Sequence, residues 1–104
     1  ALEKLASELR DKLHIHIVVI HPVQYAVAAS AESSAAVDGP FDPKPQISTG
    51  AGDHFNAGFC LGNLSGFDLP MSLLTGVATS GFYVRTAQSP TISDLVHFLR
   101  NWPE

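Results

Sequence analysis

The stretch Ser48-Thr49-Gly50-Ala51-Gly52-Asp53-His54-Phe55-Asn56-Ala57-Gly58-Phe59 is the part of the chain best suited to chemistry. Two glycines bracket an alanine where an extended segment is predicted to become a helix. Glycine permits a tight backbone turn and lets a ligand approach the main chain. The first N–H groups of a helix have no partner inside it, and the helix dipole makes their common focus favour an anion. Gly50, Ala51 and Gly52 are therefore candidate phosphate binders. Asp53 falls in the first turn beside that focus. A carboxylate there hinders simple anion storage, but it can accept a proton from a hydroxyl attacking a bound phosphoryl group. A second reading stands beside this one. Aspartate in any first turn suits the dipole, Thr49 can be a plain cap, and small residues ahead of a helix can serve close packing alone. Spacing does not separate the two.

The other reactive side chains fit ordinary roles. His14 and His16 are expected on one face of a strand and His21 on the other. No fourth ligand lies near them in sequence, so no metal site is expected. His54 could line the site beside Asp53, but it reads first as an ordinary first-turn residue. Cys60 is expected in the core. Arg85 suits the C-terminal dipole of its helix and Lys44 suits solvent, a phosphate contact being the lesser reading for each. Phe55, Phe59 and Phe67 are spaced for packing, not for stacking on a base.

The elements that must position this segment follow from periodicity. Leu2, Leu5, Leu9 and Leu13 share one helical stripe with charged residues off it, which predicts an amphipathic helix over about 2–12. The β-branched run His14–Ile20 predicts a strand, apolar on both faces from Ile17 to Ile20 as in a buried parallel strand. Pro22 ends it. Tyr25–Ala29 predicts a second strand, and Ala35–Val37 a short edge strand after a turn at Glu32-Ser33-Ser34. Pro40, Pro43 and Pro45 exclude helix and central strand from the loop that follows. Helices are predicted over about 51–64, 71–85 and 92–100. Asp68 is the only formal charge from His54 to Val84, so the first two of these helices are expected to be buried on most sides.

Composition bounds the function classes. The chain has 104 residues, enough for one domain or part of one, and a formal charge of −4, which argues against a nucleic-acid binder. Charged residues are 15% of the chain, low against roughly 25% in ordinary domains. Mean hydropathy is +0.14. So apolar a small chain needs an apolar interface or a larger body around it, and self-association is expected if it is isolated. One cysteine excludes an internal disulfide and a cysteine-built zinc site. The N-terminal residues lack the order of a signal peptide, and the longest charge-free run is too broken to span a membrane. A cytoplasmic protein without membrane or nucleic-acid partners is expected.

Thr49-Gly50-Ala51-Gly52-Asp53-His54-Phe55-Asn56-Ala57-Gly58-Phe59 closely resembles the C-terminal signature of ribokinase-like (PfkB-type) carbohydrate kinases. That signature reads T-G-A-G-D, one residue, F, one residue, A-G-F, and every fixed position is matched. Gly76-Val77-Ala78-Thr79-Ser80-Gly81 resembles the small-residue helix that flanks the adenine in that family. The resemblance covers nearly the whole chain, but only the C-terminal portion of a family member. It implies an α/β fold: the C-terminal part of a three-layer α/β/α kinase, with helix, buried strand, small β-hairpin and then buried helices. It implies transfer of phosphate from ATP to a sugar hydroxyl with Mg²⁺ required. Gly50, Ala51 and Gly52 become the anion hole, Asp53 the catalytic base, and Thr49, Asn56, Val77 and Ser80 nucleotide-side residues. Three positions depart from the pattern. Pro22 and Tyr25 stand where the family usually has glycines touching the nucleotide, and Val77 where an asparagine is frequent. A non-catalytic binding or regulatory relative is therefore the second hypothesis, and an unrelated anion-binding fragment the third. The family's acidic motif associated with Mg²⁺ and most of its sugar-binding residues have no counterpart here, so the chain alone is expected to be incomplete as a kinase.

Overall fold

The computed structural model describes residues 2–103. Seven elements follow in order: α1 (Leu2–Leu13), β1 (Val18–Ile20), β2 (Tyr25–Ala29), β3 (Ser34–Asp38), α2 (Ala51–Leu64), α3 (Leu69–Thr86) and α4 (Ile92–Arg100). The strands form one antiparallel sheet in the order β1-β2-β3, with Val19 opposite Ala28 and Val27 opposite Ala36. β2 is the central strand, and Ala26, Val27, Ala28 and Ala29 are all buried. Alternation divides them. Ala26 and Ala28 pack with Phe55, Phe59, Leu73 and Val77 of α2 and α3. Val27 and Ala29 pack with Ala6 of α1. The result is three layers, with α1 on one face of the sheet and α2 and α3 on the other. The alanines keep the central strand thin enough for helices to close on both faces.

Several expectations are corrected. β1 is antiparallel, because only His21–Gln24 separate it from β2 and a parallel return needs a crossover of a dozen or more residues. It is also short and half-buried, at the edge of the sheet. His14 and His16 precede it and are exposed. His14 closes α1 in the left-handed conformation, with φ 56° and its N–H on Arg10 O at 2.9 Å, an αL helix stop. No group of three or more potential metal ligands occurs among the described residues. Cys60 is exposed. α2 buries only the stripe Phe55, Gly58, Phe59 and Gly62, leaving Leu61 and Leu64 in solvent. α3 is buried without a break from Gly76 to Gly81, as expected of a helix whose one charge, Arg85, lies in its last turn.

The helix starts follow local chemistry. Asp68 caps α3 by accepting from Met71 N at 3.0 Å. This lets Pro70 sit inside the first turn, where it has no hydrogen bond to lose, and α3 begins at Leu69 rather than 71. Thr91 and Asp94 form a reciprocal capping box on α4. α2 has no such cap. Its N-cap is Gly50, not Thr49, and no side chain satisfies the first amides.

Candidate functional site

Gly50 takes φ 93°, a left-handed turn that glycine adopts without strain. This turn swings the chain from the proline-rich loop into α2. The Ala51 N–H bonds Ser48 O at 3.1 Å and the His54 N–H bonds Gly50 O at 3.1 Å. The amides of Gly50, Gly52 and Asp53 have no partner among the described residues. Of the three residues expected to supply phosphate-binding amides, Ala51 thus has its amide engaged, and Asp53 contributes an open one instead. Gly52 has no packing reason to be glycine, since a Cβ built there meets nothing within 4 Å. The space over that part of the main chain is open.

A cleft of about 280 Å³ lies against this turn, at the lower end of the range for small-ligand sites. Ala51 and Gly52 form part of its floor. Val77 and Ser80 of α3 form one wall, His21 and Pro22 another, and the proline-rich loop closes it with Pro40 and Pro45. Hydrogen bonds from Gly39 N to Gln24 O (2.9 Å) and from Gln46 N to Val84 O (2.8 Å) hold the loop in place. Ser80 is nine-tenths buried and lines the cleft. No lysine or arginine lines the cleft. A negative group there would be met by main-chain N–H groups, the dipole of α2 and the neutral polar side chains of Ser48 and Ser80, with the carboxylate of Asp42 also on the lining.

Asp53 does not line this cleft. It lines a second, shallower hollow with His54, Ala57, Thr79, Ser89 and Pro90. The N-terminus of α2 therefore stands between two hollows, with Gly52 on one side and the exposed Asp53 carboxylate on the other. Thr49 and Asn56 are exposed and line neither. Thr49 takes part through its carbonyl, which accepts from the Tyr83 hydroxyl at 2.8 Å. Tyr25 lies on the α1 side of the sheet, away from the cleft. Arg85 turns to α4, donating to Gly81 O at 3.1 Å with its guanidinium over Phe98, and is not in the cleft. Lys44 is exposed and lines neither hollow.

Sequence reasoning missed His21 and the contacts of His54. His54 bridges Gly50 O and Ser89 Oγ and stacks on Tyr83. Gly50 is local to His54, but Ser89 lies 35 residues away and Tyr83 is on the next helix, beyond any local pattern. His21 stacks on Phe55 with ring centroids 4.0 Å apart. Its position directly after an apolar run was the available signal. Burial holds its pKa below the usual 6.5, so the imidazole stays neutral in the fold where the unfolded chain would take up a proton. The His21 contribution to stability is then complete above about pH 6.5 and falls as the pH drops through the lowered folded value. Urea midpoints should fall between about pH 7.5 and pH 5.5. The decline should be smaller in His21→Phe, which keeps the stack and cannot titrate. Equal declines in parent and variant would assign the pH dependence to other groups.

Comparison with known proteins places the fold. Residues 1–102 match the family model of prokaryotic ketohexokinase. A ketohexokinase from Haloferax volcanii is 33% identical over 88 residues, covering 85% of this chain and 24% of the relative. The ribokinase of Thermotoga maritima superposes with a TM-score of 0.78 at 22% identity, over 97% of this chain and 35% of that one. Phosphofructokinase-2 of Escherichia coli, solved with substrates and products, gives a TM-score of 0.79 at 21% identity, over 96% of this chain and 33% of that one. The chain thus spans about a quarter of the curated relative and a third of the solved structures. The fold is that of the ribokinase-like kinases, and the chain belongs to the prokaryotic ketohexokinase family.

Proposed function

We propose that this chain is the C-terminal, phosphoryl-transfer part of a kinase that moves the γ-phosphoryl group of ATP to a hydroxyl of a ketohexose. One observation carries the reading: the uncapped start of α2, with open amides at Gly50, Gly52 and Asp53, stands between an apolar cleft and a hollow holding a carboxylate. The nucleotide occupies the cleft, between Val77 and Ser80 on one side and the proline-rich loop on the other. Its terminal phosphate lies at the open amides, over the bare main chain at Gly52. The sugar occupies the other hollow. Asp53 takes the proton of the attacking hydroxyl, and the amides offset charge on the transferring group.

Mg²⁺ is implied by the resemblance. The described residues hold no cluster of potential ligands that could bind it by themselves, and no step is derived through it. On this reading the chain works in the cytoplasm with the rest of the kinase. No described helix is long and apolar enough to cross a membrane. Isolated, the chain self-associates through exposed apolar residues of α2 and α3 such as Leu61, Leu64 and Met71.

A second reading, a non-catalytic nucleotide-binding relative, is favoured by one feature. Pro22 lines the cleft where the family usually has glycine, so backbone approach to a nucleotide is reduced there. The test uses the full polypeptide that carries these residues. With MgATP it should form ADP only when a ketohexose such as fructose is present. Nucleotide binding without turnover would select the second reading, and neither binding nor turnover would overturn both.

A further inference from the structure

We propose that His54 is a positioning residue which, together with Tyr83 and Ser89, fixes the turn at Gly50 from which the open amides at the start of α2 project; this rests on the phosphoryl-transfer reading above. The turn at Gly50 is the most permissive point of the site, because glycine has several backbone wells of similar energy. Nothing caps it from the side-chain end. Two successive carbonyls are held instead. Thr49 O accepts from the Tyr83 hydroxyl at 2.8 Å. Gly50 O accepts from its own helix at His54 N and from the His54 ring Nδ1 at 2.8 Å.

A peptide unit is planar and trans, so fixing a carbonyl fixes the opposed N–H of the next residue. The Tyr83 bond thereby directs the open Gly50 amide. The His54 bond directs the Ala51 amide onto Ser48 and sets the plane from which Gly52 continues. A carbonyl oxygen can only accept, so Nδ1 carries the ring proton. Nε2 is then the acceptor for the Ser89 hydroxyl at 2.7 Å. The ring is locked as well as bonded, lying flat on Tyr83 at 3.7 Å and 9°. The turn before α4 is thus tied through Ser89 to the start of α2.

Three variants of the full polypeptide separate this role from packing. His54→Phe keeps the stack on Tyr83 and removes both ring hydrogen bonds. It should lower kcat about 10–100-fold, the cost of misplacing a group by an ångström or less, with KM for sugar within about twofold. His54→Asn can still donate to Gly50 O and should recover most of that loss. Tyr83→Phe removes only the hydroxyl and should lower kcat without a matching loss of thermal stability. The proposal is overturned if His54→Phe turns over like the parent, if His54→Asn is no better than His54→Phe, or if the kcat losses merely track loss of folded protein. Asp53→Asn distinguishes failure of the underlying reading. If that variant stays active the phosphoryl-transfer role itself falls. If it is inactive while His54→Phe is fully active, only the positioning role falls. The amide NMR signal of Gly50 gives a readout independent of turnover and should shift in His54→Phe and Tyr83→Phe.

Discussion

Asp53→Asn should cost about 10²–10⁴-fold in kcat, the span typical of a lost general base. The KM values should change little. The substitution is almost isosteric, and Asp53 is exposed, forms no ion pair and has no hydrogen-bond partner among the described residues. Folding should therefore hardly register the change, apart from the loss of a carboxylate at a helix start, worth about 0.3–1 kcal/mol. That separation makes the variant decisive. A large fall in turnover with near-parental thermal unfolding supports the proton-accepting role. Turnover within threefold of the parent would remove it and leave Asp53 as a helix-start residue.

Gly58→Val is expected to be the most damaging single change in the body of the fold. Gly58 lies on the buried stripe of α2, and a side chain there would run into the Thr79 side chain and the Thr75 carbonyl of α3. Those two groups are bonded to each other, Thr79 Oγ1 to Thr75 O at 2.7 Å, so neither can yield cheaply. Overpacking of this kind costs about 1–3 kcal/mol, and more when the obstacle is backbone. Gly58→Ala meets the same obstacle at its first carbon. It should lose stability even though alanine is favoured over glycine in a helix by about 1 kcal/mol. Urea unfolding of the two variants should give midpoints in the order parent, alanine, valine. A parental midpoint for the alanine variant would mean that α2 and α3 separate freely, and the site between them would not be rigid.

What could be read from the residues alone was what depends on near neighbours. The bounds of α2 and α4 follow from Gly50-Ala51-Gly52-Asp53 and from the capping pair Thr91 and Asp94, and both agree with the structure. The small strand pair was legible from two short apolar runs on either side of the serine-rich turn. The direction of β1 was misjudged because an apolar run says how deeply a strand is buried, not which way its neighbour runs; the brevity of His21–Gln24 was the stronger constraint. Cys60 was misplaced because a helix poor in charge does not disclose which side faces solvent. The open amides could be expected from a glycine-rich helix start. That the Ala51 amide folds back on Ser48 could not be, since it depends on how His54 and Tyr83 hold the turn. Ser89 was invisible as a partner because it reaches the site from a distant part of the chain, and for His21 the apolar run before it pointed to burial but not to Phe55.

The start of α2 separates its two hollows like a partition between rooms. On the proposed reading, donor and acceptor come in through different doors, and neither obstructs the other. Both must then be present together for the transfer, which passes across the partition in one displacement and needs no stopover on the protein.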